Sequence, residues 1–247
     1  MDKIGGGKFT GNNRFSLLMK INKLENLESI QSGKLYMNNL KYYVDLEKTT
    51  GEQGIGDVQE ASWTNIKKHK LFIQVKVEER KEVPIGPAPG IIYDEEALYH
   101  PVFCMMFKLI NLQKENKMQS VGQFQLSKEK LADFIDNDIG ALIITDVGEF
   151  LNRVQIATRE IGIAGKHGAV KYRDKRIPNI VNSEIQLDDS FTKDLRFQKK
   201  SEFRIELFTQ RKEDMILDIG DIPDISFIAK GDRIFDKLST IFQQYIE

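Results

Sequence analysis

The stretch Glu202-Phe203-Arg204-Ile205-Glu206-Leu207 alternates charged and apolar side chains without a break. In a β-strand such alternation sends Phe203, Ile205 and Leu207 to one face and Glu202, Arg204 and Glu206 to the other. The apolar face belongs in a core. The charged face either meets solvent, as one face of many antiparallel sheets does, or lies mid-sheet as the paired-charge floor of a pocket. Just upstream, Lys193 and Phe197 stand four residues apart, which on a helix would put a cation and an aromatic ring on one side.

A second group lies at residues 49–63, TTGEQGIGDVQEASW. Gly51, Gly54 and Gly56 allow a sharp turn or a close approach of backbone to a ligand. Glu52, Asp57 and Glu60 would repel bare phosphate. Asp57 and Glu60, at i and i+3, instead suit ribose hydroxyls, a divalent cation or a structural arginine. The same pair also fits a capping box, with Asp57 opening a helix near VQEAS; both readings can hold. Taken together, these residues predict a pocket over one face of a sheet. Asp57 and Glu60 reach in from the glycine loop, Glu202, Arg204 and Glu206 form the floor, and Lys193 and Phe197 stand at the side.

The remaining chemistry-bearing residues offer less. GGGKFTG at residues 5–11 lacks the strand before it and the helix after it that a phosphate loop requires, and Lys8 is followed by Phe9. It reads as a flexible tail. His69, His100 and His167 show no metal-ligand spacing, and His100 and His167 read as surface residues. Cys104, the single cysteine, sits in an apolar run and reads as a buried, inert thiol. The basic stretches VKYRDKR (170–176) and RFQKK (196–200) could offer Tyr172 and Phe197 for stacking. A formal net charge of −1 over 247 residues argues against general nucleic-acid binding.

These groups need elements to hold them. FSLLMKI (15–21) reads as a strand, followed by a helix opening at Asn22 and Glu25 and stopped by Gly33. KLYMNNLKYYV (34–44) is a strand running into a helical turn, KLFIQVKVEE (70–79) a half-exposed strand, and PVFCMMFKL (101–109) and ALIITD buried strands. QSVGQFQL (119–126) reads as a hairpin partner, and Ser127 opens a helix. VPIGPAPG (83–90), with three of the six prolines, reads as a long surface loop or lid. Asp146 and Glu149 make a capping box for VGEFLNRVQIATREI. AVKY (169–172) reads as a strand, and in DDSFTKDLRFQKKSEFRIELFT (188–209) the first half suits a helix and the second half a strand; two further strands and a final helix close the chain. The expectation is a flexible tail at 1–13 and a single α+β domain over 14–247, with a mixed or antiparallel sheet flanked by helices. No apolar run reaches the ~18–20 residues that span a bilayer, and the N-terminus lacks a signal-peptide core, so a cytoplasmic protein is expected.

Three pieces carry a resemblance: SGKLYMNNLKYYVDLE, then GDVQEAS, then the F-x-K-x-x-x-F-x-x-K-S-E-F-R-I run. In that order they resemble a broad set of uncharacterised bacterial and phage proteins, which implies a role in phage–host conflict and no particular chemistry. ENLESIQSGKL (25–35) and the late strand are also distantly similar to ADP-ribosyltransferase-like toxins. That resemblance would make Glu202 or Glu206 the catalytic glutamate. FSLLMKI departs from it, having no His or Arg to grip a nicotinamide-side ribose. Two functions are therefore expected: a conflict protein that binds or modifies a nucleotide-type small molecule, or a non-enzymatic protein that docks on a host or defence protein. The residues name no cofactor and do not decide whether the protein is an enzyme.

Overall fold

The apolar run around Leu17–Met19 forms the middle of β1 (Arg14–Lys23), a long strand that serves two neighbours in turn. The computed structural model describes residues 14–50, 62–64, 71–74, 82–85, 91–93, 95–111, 138–175, 180–181, 184–185 and 188–230. Within them, α1 (Leu24–Gln31), β2 (Lys34–Asn39) and α2 (Leu40–Thr50) follow β1. Short strands β3 (Ser62–Thr64) and β6 (Ile91–Tyr93) pair with each other, as do β4 (Leu71–Gln74) and β5 (Glu82–Ile85). Then come α3 (Glu95–Leu98), β7 (Pro101–Asn111), β8 (Ile139–Ile144), α4 (Val147–Glu160), β9 (Gly165–Ala169) and β10 (Lys171–Arg173). The chain continues through β11 (Ile180–Val181), β12 (Glu184–Ile185), β13 (Thr192–Asp194), a 3-10 helix (Leu195–Lys200), β14 (Glu202–Leu207), β15 (Met215–Asp218) and β16 (Ser226–Lys230).

Eight strands make one antiparallel sheet in the order β15-β2-β7-β1-β8-β16, and β7 also pairs with β14, which pairs with β9. This is the expected α+β domain, a sheet flanked by helices. The branching has a simple origin. β7 is long enough to pair with β1 through Met106–Asn111 and with β2 through Pro101 and Val102, while its other edge takes β14.

The main core lies between the sheet and helices α1 and α4. Leu27 and Ile30 of α1 and Phe150, Val154 and Ala157 of α4 pack on Leu18, Phe103, Leu142, Phe203 and Ile205. Each large apolar side chain so enclosed contributes about 1.5–3 kcal/mol. On the opposite face lie two smaller clusters. Leu17, Met19, Ala141, Ile143 and Ala229 form one, and Leu40, Val44, Ala97, Leu98 and Val102 the other.

Several local readings change. The helix α1 begins at Leu24 with Lys23 at the cap position, and Asn22 stays in the ladder opposite Gly140. The Leu24 N–H is instead satisfied by the Asp138 carbonyl at 2.7 Å, so a side-chain cap is not needed. The α4 cap is as expected, with the Asp146 carboxylate accepting from the Glu149 N–H at 2.9 Å. Val83–Ile85, read as loop, pair with Leu71–Ile73; in a two-stranded ribbon every strand is an edge, which accommodates Pro84. AVKY is not one strand. Val170 donates to Glu202 while Lys171 turns to Phe191, so β9 ends and β10 starts on a parallel partner, β13. Residues 192–200 form a strand and a 3-10 turn rather than a helix, because β10 captures Thr192–Asp194. The tail 1–13, the hairpin and helix expected at 119–136, and the final helix lie outside the described residues.

Gly33 is the α1 stop. Its φ is +86°, and a Cβ there would stand 2.3 Å from the Gly220 carbonyl oxygen. Gly33→Ala is therefore expected to cost more than about 2 kcal/mol in urea unfolding, adding left-handed strain to an overlap with rigid backbone.

Candidate functional site

β14 is buried on both faces. Phe203, Ile205 and Leu207 enter the main core, and Glu202, Arg204 and Glu206 are enclosed on the other side at 7%, 1% and 2% exposure. The solvent-facing alternative is thus not realised. The reason is the register: Glu202 stands beside Met106, Arg204 beside Cys104 and Glu206 beside Val102. The charged row therefore lies in the middle of the second face, between the two small apolar clusters.

Within the row the charges pair with one another. Arg204 donates from Nε (3.0 Å) and Nη2 (2.6 Å) to Glu202 Oε1, and Lys193 Nζ reaches Glu202 Oε2 at 2.6 Å. Arg204 Nη1 donates to the Ser190 carbonyl. The Glu202 N–H donates to the Tyr172 hydroxyl at 2.7 Å. Burial pushes the Glu202 carboxyl upward, but the Arg204 and Lys193 charges and hydrogen bonds outweigh it and hold the group well below the usual carboxylate range. Both oxygens of Glu202 are thus engaged by cations of the same row.

Glu206 has different partners. Its Oε2 accepts from Ser190 Oγ at 2.5 Å and its Oε1 from His100 Nδ1 at 2.8 Å. His100, read from the sequence as a surface residue, has a side chain only 13% exposed. Its place at the start of β7, next to Pro101 and one strand away from Glu206, is what draws it in. Nothing local in the sequence signals this pair, because the two residues lie 106 positions apart. Ser190 was missed for the same reason.

Around the row, burial and then the Glu202 charge push the Cys104 thiol up to about 11, in keeping with an inert cysteine. Burial likewise raises the Tyr43 phenol, and Asn38 hydrogen-bonds it. Lys20 Nζ takes the Cys104 carbonyl at 2.7 Å and sits 5.0 Å over the Phe103 ring. That carbonyl faces the gap where β1 has left β7 and β2 has not yet joined it. Burial lowers the Lys20 pKa.

The structure therefore brings together Glu202, Arg204, Glu206 and Lys193, and places Phe197 beside them, its ring centroid 5.8 Å from Lys193 Nζ. They meet without the helix expected in the first half of 188–209: Lys193 comes from β13 and Phe197 from the 3-10 turn. Phe197 is buried, Tyr172 is half-buried with its hydroxyl taken by the Glu202 N–H, and Arg173 of the basic run is held bidentately by Asp188 at 2.7 and 2.6 Å. Asp57, Glu60 and the rest of the glycine loop lie outside the described residues, as does His69. Among the described residues, no group of three or more His, Cys, Asp or Glu is placed to hold a metal ion. Among them too, no helix is long and apolar enough to cross a membrane. Compared with known proteins, the chain matches no family model, no curated protein and no solved structure.

Proposed function

We propose that the protein acts in phage–host conflict by binding or modifying a nucleotide-type small molecule at the His100 end of the charged row. One observation carries this reading. A row of ionised side chains is enclosed in the sheet where apolar residues would be at least as stable, and interiors break that rule most often at functional places. Glu202, Arg204 and Lys193 satisfy one another and fix the row. At its His100 end, Nδ1 is used by Glu206, and Nε2 makes no hydrogen bond among the described residues. An imidazole oriented by a carboxylate is the usual arrangement of a general base, and a ribose hydroxyl is a fitting proton donor to it. Glu206 then serves as the positioning residue.

The test is a thermal-shift panel with NAD, ADP-ribose, linear and cyclic nucleotides, and Mg²⁺ or Mn²⁺, on the native protein and on His100→Gln. A ligand at 100 times its Kd adds about 2.7 kcal/mol, which is easily read. A shift that His100→Gln removes supports the reading. A flat panel, or a shift indifferent to His100, counts against it. A second reading, docking on a host or defence protein, is favoured by a separate observation: among the described residues the outer side of β9, which is exposed, pairs with no strand.

A further inference from the structure

The row on the second face of the sheet does not end at Glu206. Period-two alternation carries it one position further, to Phe208, just past the end of β14. The ring is found there, its centroid 5.5 Å from that of His100 and the two planes tilted by 51°. Exposure changes abruptly along the row. Glu202, Arg204 and Glu206 are enclosed, whereas Phe208 is 47% exposed. The row thus closes with an aromatic face turned partly to water, beside the imidazole that the ligand reading uses.

Backbone bonds tie the two rings to one frame. The Phe208 N–H donates to the Ala164 carbonyl at 2.8 Å, and the Thr209 N–H to the Leu207 carbonyl at 2.9 Å. Three residues on, the Arg211 N–H donates to the Tyr99 carbonyl at 3.2 Å. Asn39 Nδ2 donates to the carbonyls of Arg211 and Lys212, each at 3.1 Å. Tyr99 directly precedes His100, and Asn39 stands opposite Pro101. The turn that carries Phe208 is therefore fastened to the corner that carries His100. Groups held in place before a ligand arrives bind it at a lower entropic cost. The imidazole is aligned as well: a carboxylate at Nδ1 keeps the proton there and leaves Nε2 an acceptor.

A nucleoside offers what both rings can take, a flat π face and, one glycosidic bond away, a hydroxyl that donates. A sugar alone would use only His100, and an apolar aromatic only Phe208. We infer that Phe208 is the base-stacking residue of the ligand site, so that the site holds a nucleoside or nucleotide by its base on Phe208 and by its ribose at His100. Stacking of a base on an aromatic side chain is strong enough to decide affinity. This rests on the ligand reading at His100 and adds the part of the ligand that Phe208 meets.

The probes are the 5′-monophosphates of adenosine, guanosine, cytidine and uridine, and ribose 5-phosphate, which keeps the sugar and the phosphate but lacks the base. Affinities are measured by calorimetry on the native protein, Phe208→Leu, Phe208→Tyr and His100→Gln. At least one nucleotide is expected to bind about tenfold more tightly than ribose 5-phosphate. Phe208→Leu should remove most of that ratio and Phe208→Tyr should keep it. The ratio is the telling quantity, because a variant that only disturbed His100 would weaken nucleotide and sugar phosphate alike. Ring-current shifts of the base protons on binding, lost in Phe208→Leu, are the matching signature by NMR. Phe208 is half exposed, so little change in Tm is expected. Ribose 5-phosphate bound as tightly as every nucleotide, or a ratio that survives Phe208→Leu, overturns the stacking role. If His100→Gln still abolishes binding in that case, the ligand reading stands without it. No binding by any of the five probes, or binding indifferent to His100→Gln, overturns this proposal and counts against the His100 reading itself.

Discussion

Arg204→Met is expected to lower folding stability by about 3–5 kcal/mol, the cost of removing one partner from an enclosed ion pair. Arg204 is 1% exposed and donates to Glu202 and to the Ser190 carbonyl. Without it, Glu202 keeps Lys193 alone, and the Ser190 carbonyl loses a charged donor. The size of the loss measures the unpaired charge left behind rather than the worth of the pair. A companion variant separates the two. Lys193→Met, Glu202→Leu and Arg204→Met together replace the paired charges with apolar groups of similar bulk, and this triple variant is expected to regain most of the lost stability. Urea unfolding at neutral pH checks both. A single variant within about 1 kcal/mol of the native protein would mean that the row is neither dry nor tightly paired. The same fragility makes Arg204 a poor reporter of ligand binding, which is why the binding test uses His100.

Glu202→Gln is expected to cost a similar ~3–5 kcal/mol at neutral pH, since it leaves Arg204 and Lys193 facing a neutral amide. Its pH dependence is the more telling result. The folded carboxyl titrates well below its unfolded counterpart, which lies at about 4.3. Below that unfolded value the unfolded chain takes up the proton first, so stability falls with falling pH. The Glu202 contribution is thus fully present above the ordinary carboxylate range and is lost as pH falls through the folded value. The gap between native protein and Glu202→Gln should be constant from pH 7 to about 5 and shrink steadily in more acid solution. A gap that stays constant down to pH 2.5 would show that Glu202 is not held in its charged form by its neighbours.

Much of the framework was legible in the chain because its signals are local. Apolar runs placed β1, β7 and β8, alternation placed β14, the Asp146 and Glu149 spacing placed the start of α4, and Gly33 marked the end of α1. Misreadings fall where a distant partner overrode a local preference. Residues 192–194 look helical beside Phe197 but are captured by β10. Asn22 looks like a cap, yet the β8 ladder holds it extended and the Asp138 carbonyl takes the helix N–H. Val170 looks like the middle of a strand, but the chain changes partners there.

For the site, the residues alone determined that Glu202, Arg204 and Glu206 share one face, because a strand's side-chain period is fixed by its backbone. They also marked Lys193 and Phe197 as neighbours of that face. Whether the face was wet or dry was not in the pattern. Only the tertiary structure decided it, by laying β14 against β7 with apolar clusters on either side, so that the charges had to find each other. It also decided that His100 and Ser190 complete the row. Those contacts join residues far apart in the chain, and no local spacing encodes a meeting that the folding of the whole sheet brings about.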